Sequence, residues 1–311
     1  MKSLKIIFMG TPAFACAVLE SLLKSDHEVI AVVSQPDKKV GRKQERKATP
    51  VKQMALAYDV PVFQPNKISE SYDKFLTLKA DLIVTCAYGQ MIPEIILEYP
   101  KYGSLNVHAS LLPKLRGGAP IHKAIMYGYT STGISIMRME KRMDAGDYML
   151  QRAVDIAADE TMIELHNRLM PIAAETILEA ISLLVKEKAI FTKQEEADVS
   201  FAYNISKEEE YIDASADVEE VYNHIKSLIS WPVGYILFQE KKLKIHGAKR
   251  STLLTSEQAS TLVQANKKLF LVCNNGCIEL CSVQLEGRKR NTAKDFLNGF
   301  KEEIKDVSNT H

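Results

Sequence analysis

The sequence predicts an α/β fold, with a doubly wound N-terminal domain followed by a small, OB-like β-barrel domain. Three observations carry that prediction. Residues 4–10, LKIIFMG, form an apolar run that stops at a glycine, as a strand buried on both faces does. TPAFACAVLESLLKS then spaces its apolar residues helically and EVIAVVSQ returns to strand character, which makes a strand–helix–strand unit with a right-handed crossover. Far downstream the texture changes to short strand-like runs separated by turns: GYILF, KKLKIHGAK, LFLVCNNG and CIELCSVQLEG, with Asn275-Gly276 as a hairpin signal.

The elements follow in order. Thr11 is placed to cap the first helix and Pro12 to occupy its first position. PVKQMALAYD reads as a helix, VPVF as a short strand, ADLIVTCAYG as a strong strand, PEIILEY as a helical turn or two and GSLNVHA as another strand. APIHKAIMYG is helical and TGISIMRM a strand. Residues 161–188 form a long amphipathic pattern with a kink expected at Pro171. These elements close a domain over residues 1–190. Residues 191–206 are polar and weakly periodic, as a linker is, and 207–311 make the small domain, with ADVEEVYNHIKSLIS as its helix.

Bulk properties exclude some classes. The 311 residues are 46% hydrophobic and 25% charged, as in a globular protein with a sizeable core, and the formal net charge is +1. The five cysteines are an odd number in apolar settings, which points to reduced thiols in a cytoplasmic compartment. MKSLKIIFMGTPAF reads as a first strand and turn, not a signal peptide. No apolar run approaches the roughly eighteen residues of a membrane span, so no membrane partner is expected.

The balanced total hides segregated charge. Residues 36–52, PDKKVGRKQERKATPVK, hold Lys38, Lys39, Arg42, Lys43, Arg46 and Lys47 in a stretch too polar for core. It reads as a mobile loop leaving the carboxyl end of a parallel strand, the edge where doubly wound sheets bind ligands, and it is too long for an ordinary connection. Phosphate or nucleic-acid contact is expected there, against the plainer reading of a solvated connection. The small domain is rich in lysine and arginine from 241 to 294, including Arg288, Lys289 and Arg290, while its acidic counterweight lies upstream at Glu208–Glu210. Aromatic residues are sparse in that stretch, so phosphate contact is favoured over base stacking.

The stretch NVHASLLPKLRGGAPI, residues 106–121, carries the chemistry. Asn106 and His108 are two apart on a strand and so project from one face, near its carboxyl end. Alone, each has a bland reading as a turn former or a satisfied core histidine; together they look like a site. Asp144, in MDAGD, is an acid at another strand-end loop, with turn chemistry as its alternative. An amide, an imidazole and a carboxylate brought together suit acyl transfer through a tetrahedral intermediate. No serine nucleophile elbow is present, no His-Glu-x-x-His run supports a metal, and FMGTPAF has one glycine where a dinucleotide fingerprint needs three.

NVHASLLPKLRGGAPI, with MDAGD and IIFMGTPAFA, resembles the 10-formyltetrahydrofolate-dependent formyltransferases over residues 1 to 190. QPDKKVGRKQERKATPVK, SKEEEYIDAS, WPVGYI and CSVQLEGRKRNTAKDFLNG extend the likeness, to the branch that formylates initiator methionyl-tRNA, over nearly the whole chain. The resemblance implies a Rossmann-like N-terminal domain and an OB-like C-terminal one. It implies Asn106, His108 and Asp144 as the catalytic set, and Ser110, Leu111, Leu112 and Pro113 as part of the folate site, with Tyr88 and Gly89 lining a pterin pocket. The basic loop around Arg42 would meet the acceptor end of the tRNA. Implied with these are 10-formyltetrahydrofolate as formyl donor, no metal, a monomer, and a role in translation initiation. Leu115 before Arg116, where an aromatic residue is common, and SLISWPVGY depart from the pattern outside the catalytic set. The alternatives are a formyltransferase acting on a small amine such as glycinamide ribonucleotide or an amino-sugar nucleotide, a formyl-folate hydrolase, and a noncatalytic RNA-binding module.

Overall fold

The computed structural model describes residues 3–40, 45–70, 72–300 and 302–308. The chain opens with β1 (Lys5–Gly10), α1 (Ala13–Leu23), β2 (Glu28–Val33), β3 (Lys38–Val40), β4 (Glu45–Lys47) and α2 (Pro50–Ala57). It continues through β5 (Val62–Phe63), α3 (Tyr72–Leu76), β6 (Leu82–Cys86), α4 (Glu94–Glu98) and β7 (Ser104–His108). Next come α5 (Pro120–Met126), β8 (Ser131–Arg138), β9 (Tyr148–Asp155) and α6 (Met162–Val185). The last part holds α7 (Val218–Leu228), β10 (Tyr235–Phe238), β11 (Lys241–Arg250), β12 (Leu262–Ala265) and β13 (Lys268–Cys273). It ends with β14 (Gly276–Leu285), β15 (Asn291–Thr292), α8 (Ala293–Gly299) and β16 (Lys305–Asp306).

These elements sort into two compact units. The first draws on residues 1–120, 132–154 and 166–203. Its sheet runs in the order β5-β2-β1-β6-β7-β8-β9, parallel from β5 to β7, with β8 antiparallel to β7. The strand order reverses direction between β1 and β6, which opens a crevice at their carboxyl ends. One sheet face packs Ile7, Met9, Ala31, Val33 and Ile83 against Phe75, Ile92, Ile96 and Leu97. Burying each of these side chains larger than alanine contributes about 1.5–3 kcal/mol. Along α6, which contains Pro171, the buried Leu169, Ala173, Ile177, Ala180 and Ile181 recur at helical spacing.

Thr11 does not cap α1. Pro12 stands at the cap position without a side-chain bond, and the Thr11 hydroxyl instead donates to Tyr88 O at 3.0 Å and accepts from Gln35 N at 3.3 Å. That hydroxyl therefore ties the end of β1 to the segment after β6. In the basic stretch, expected to be irregular, β3 and β4 pair antiparallel, Lys38 opposite Lys47 and Lys39 opposite Arg46. At its base Asp37 pairs with Lys52 at 2.6 Å and accepts from Gln64 at 2.7 Å. These hydrogen bonds, Gln64 first and then Lys52, hold the Asp37 carboxyl below the usual range.

The second unit draws on residues 121–131, 155–165 and 204–311. Its OB-like sheet follows β10-β11-β14-β13-β12-β16, antiparallel except where the short β16 joins β12, and β15 pairs with β14. Val221, Ile225, Leu243, Ile245, Leu280, Val283 and Phe296 meet in its core. Polar anchors draw the two early segments in: the buried Lys123 pairs with Glu209, and Lys226 Nζ donates to Ala158 O at 2.5 Å. Helix α8, unforeseen in the sequence, begins where the Thr292 hydroxyl accepts from Asp295 N at 3.2 Å.

Candidate active site

Strand register builds the site. Thr85 lies opposite Asn106 across β6 and β7, and its hydroxyl donates to Asn106 Oδ1 at 2.7 Å. That bond orients the amide, turning Nδ2 toward Asp144 Oδ1 at 3.4 Å. His108, two residues on and buried, lies opposite Ser135. Its Nε2 faces Leu115 O at 2.9 Å and its Nδ1 faces Asp144 Oδ2 at 3.6 Å. A carbonyl only accepts, so Nε2 carries a proton. Sequence alone could not bring Asp144 to His108; the fold does.

Asp144 reaches that place through an unusual backbone. Its φ of 49° lies in the left-handed region, and the Gly117 N–H donates to its Oδ2 at 2.9 Å. Gly146 follows so close to β8 that a Cβ there would stand 2.0 Å from Arg138 O, so no larger residue fits. The buried Gln194 Nε2 donates to Asp144 O at 2.9 Å and Gly146 O at 2.7 Å. Residues 200–202 pair with the loop after β7: Arg116 N donates to Ser200 O at 2.9 Å and Ala202 N to Arg116 O at 2.7 Å.

The loop 110–113 is fixed just as closely. Ser135 Oγ donates to Ser110 O at 2.6 Å and accepts from Leu112 N at 3.1 Å, while Gln151 Nε2 donates to Leu112 O at 2.9 Å. Tyr88 and Gly89 follow β6, where the Tyr88 carbonyl takes the Thr11 bond. The Tyr88 ring is packed in the apolar cluster of the sheet. Its hydroxyl is buried with no hydrogen-bond partner among the described residues, and burial pushes its pKa up to about 12. The amide, imidazole and carboxylate fit the reacting carbonyl of a formyl-bearing folate, and the half-buried Leu111 and Pro113 supply apolar surface on the loop, whereas the Tyr88 ring is turned into the core and only its backbone and Gly89 stand at the strand end.

The expected RNA contacts are distributed differently. Lys38, Arg46 and Lys47 are exposed and Lys39 lies on β3, whereas Arg42 and Lys43 fall outside the described residues. Arg288, Lys289 and Arg290 are exposed in the second unit between β14 and β15. Arg288 lies over the Phe300 ring at 4.9 Å and Arg290 Nε donates to Ser282 Oγ at 2.8 Å. Not all the basic residues of that unit are available to a ligand, because Arg250 pairs with Asp159 and Glu219 and Lys268 with Glu279. Among the described residues, no cluster of three His, Cys, Asp or Glu side chains could hold a metal ion, and no helix is long and apolar enough to cross a membrane.

The residues that hold the site without reacting were not singled out in the sequence. Thr85, Ser135, Gln151 and Gln194 are ordinary polar residues whose partners lie on other elements, and only the hydrogen-bond network identifies them.

The family model described as formyl transferase matches residues 4–181, and that of the formyl transferase C-terminal domain matches residues 204–301. A methionyl-tRNA formyltransferase from Bacillus thuringiensis subsp. konkukian is 45% identical over 305 residues, 97% of each chain. One from Bacillus mycoides is 44% identical with the same coverage. Among solved structures, HypX from Aquifex aeolicus in complex with tetrahydrofolic acid aligns with a TM-score of 0.69 at 16% identity, over 98% of this chain and 49% of that one. An N-formyltransferase from Helicobacter canadensis, in complex with folinic acid and dTDP-3-aminofucose, aligns with a TM-score of 0.66 at 18% identity, over 89% and 98%. Those likenesses bear on the fold, while the two domain matches and the Bacillus identities settle the membership: this chain belongs to the formyl transferase family.

Proposed function

We propose that this chain transfers a formyl group from 10-formyltetrahydrofolate to the α-amino group of methionine on initiator methionyl-tRNA, in translation initiation. The observation that carries the reading is the convergence of Asn106, His108 and Asp144 at the strand ends of a chain 45% identical over nearly its full length to methionyl-tRNA formyltransferases. 10-Formyltetrahydrofolate supplies the formyl carbon, on a nitrogen that leaves. The Asn106 Nδ2–H and the His108 imidazolium stabilise the oxyanion that forms when the neutral amine attacks that carbon. Asp144 orients the imidazole and takes part in moving the proton of the attacking amine, which ends on the folate nitrogen as the tetrahedral intermediate collapses and the bond from that nitrogen to the formyl carbon breaks. Ser110, Leu111, Leu112 and Pro113, with Tyr88 and Gly89, seat the folate.

In this reading residues 1–190 carry the chemistry, 207–311 supply tRNA contact through Arg288, Lys289 and Arg290, and 191–206 join them while Gln194 and residues 200–202 brace the catalytic loops. Lys38, Lys39, Arg42, Lys43, Arg46 and Lys47 grip the acceptor arm. The enzyme acts in the cytoplasm as a monomer. The test follows labelled formyl from 10-formyltetrahydrofolate to Met-charged initiator tRNA, with Met-charged elongator tRNA and glycinamide ribonucleotide in parallel. Selective labelling of the initiator species is the expected result. Transfer to the small amine alone, or formate release without an acceptor, overturns the proposal.

A further inference from the structure

The segment that follows α6 reaches both halves of the candidate site. Ser200 Oγ accepts from Leu115 N at 3.0 Å, and residues 200–202 bond the backbone of Arg116 on both sides. The same loop carries the Leu115 carbonyl that faces His108 and the Gly117 N–H that donates to Asp144. Gln194, 3% exposed, meets the other half. Its two amide protons go to the carbonyls of Asp144 and Gly146, and its Oε1 accepts from Arg116 Nε at 2.9 Å. Arg116 is itself buried and completes the chain with Glu196 at 3.4 Å. One primary amide thus joins the loop bearing the carboxylate to the loop bearing the partners of the imidazole.

We infer that Gln194 is a positioning residue for Asp144: its side-chain amide holds residues 144–146 in the turn, left-handed at Asp144, that aims the Asp144 carboxylate at His108 Nδ1. A non-glycine residue at φ 49° stays there only when its surroundings fix it, and the bonds from Gln194 and Gly117 are that fixation. An amide is suited to the task because it donates twice and accepts once. A carboxylate of the same shape keeps the bond from Arg116 and sets its second oxygen, an acceptor, against both carbonyls. Misplacing a reacting group by about 1 Å lowers turnover on the order of a hundredfold.

The inference rests on the reading of Asp144 as part of the catalytic set, and the experiment separates the two. Turnover of methionyl-tRNA with 10-formyltetrahydrofolate is measured for Gln194→Glu, Gln194→Ala, Asp144→Asn and the Gln194→Ala/Asp144→Asn double variant, each with its melting curve and the pH profile of kcat. The expected result is a fall in kcat of about ten- to a hundredfold in each Gln194 variant, with KM for both substrates within about threefold and a displaced acid limb of the profile. In the Asp144→Asn background, Gln194→Ala should have no further effect, since a residue acting through Asp144 has nothing left to position. A purely structural role would give losses that multiply in the double variant and an unshifted profile, and that result overturns the inference. Wild-type kcat in a folded Gln194→Glu or Gln194→Ala protein overturns it as well. If Asp144→Asn itself keeps wild-type turnover, the reading of the site fails first.

Discussion

The carboxylate of Asp144 stands 3.6 Å from Nδ1 of His108, while the opposite nitrogen of the ring is held by the Leu115 carbonyl. Because that carbonyl accepts from Nε2, Nδ1 is the ring nitrogen left to face Asp144. Asp144→Asn leaves the shape and removes the charge, so kcat is expected to fall about a hundredfold or more. The dissociation constant for methionyl-tRNA should stay within about twofold. Parallel losses in kcat and in tRNA binding would show that Asp144 serves the RNA rather than the reaction.

Gly117 contributes through its backbone. It lies at φ 122°, and a Cβ there would stand 2.7 Å from Ala202 O. Gly117→Ala must strain the backbone, by about 1–3 kcal/mol, or move the loop away from residues 200–202. Either response disturbs the N–H that donates to Asp144. A lower melting temperature together with a loss of kcat larger than the loss of folded protein is expected. Full activity per folded molecule would mean that the Gly117 bond is dispensable.

Much of this was legible in the sequence because it depends on local periodicity. Residues 106 and 108 share a face on any strand, and the apolar run of β1 ends at a glycine wherever it is met. Helix α2 begins at Pro50, as its apolar spacing suggests, although the cap that starts it, the Thr49 hydroxyl accepting from Lys52 N, was not singled out in the sequence. What stayed hidden depends on pairing across distance. Thr11 has the residue type and place of a helix cap, but a carbonyl 77 positions away takes its hydroxyl. The basic stretch contains β3 and β4 although lysine and arginine have little strand preference, since antiparallel pairing fixes the backbone and leaves Lys38, Arg46 and Lys47 to solvent. Gln194 lies in a stretch that reads as a polar linker, and nothing in its neighbours marks a side chain buried among three hydrogen bonds.

The loop proposed to seat the folate depends on one buried hydroxyl. Ser135 is fully buried, and removing its Oγ leaves Leu112 N–H and Ser110 C=O without the partner they share. Ser135→Ala is expected to destabilise the protein by about 1–3 kcal/mol. It should also raise KM for 10-formyltetrahydrofolate several-fold more than KM for methionyl-tRNA. An equal rise in both would place the effect of this hydroxyl outside donor binding.

Charge on the β3–β4 hairpin is expected to act on RNA affinity alone. Replacing Lys38, Arg46 and Lys47 by glutamine removes exposed charges while leaving Asp37, Lys52 and Gln64 to anchor the base. Binding to methionyl-tRNA should weaken, and the slope of log K against log salt should shrink by about 0.7–0.9 for each lost phosphate contact. The kcat at saturating tRNA should remain near the wild-type value. An unchanged salt slope would remove this hairpin from the RNA contact.

Acid stability is expected to depend on the second unit through His224. Burial lowers its pKa from the ordinary 6.5, and Lys123 pushes the same way, against the opposing pull of the Glu209 carbonyl and carboxylate. Its Nε2 lies 2.8 Å from Glu209 O, a bond the neutral ring donates. A base whose folded pKa lies below its unfolded one favours the unfolded chain as it protonates. Its stabilising contribution is therefore complete above the unfolded value and is lost as pH falls through that value toward the lower, folded one. His27 and His246, also lowered by burial, act in the same direction. Glu209, held below its ordinary value by hydrogen bonds from Lys123 and Ser206 N despite burial, loses its contribution only at lower pH, in the carboxylate range. The melting temperature should thus fall between about pH 7.5 and pH 5.5, and His224→Gln, which keeps a donor and cannot ionise, should flatten part of that slope. A slope identical to that of the wild type would show that His224 protonates as easily in the folded protein as in the unfolded chain.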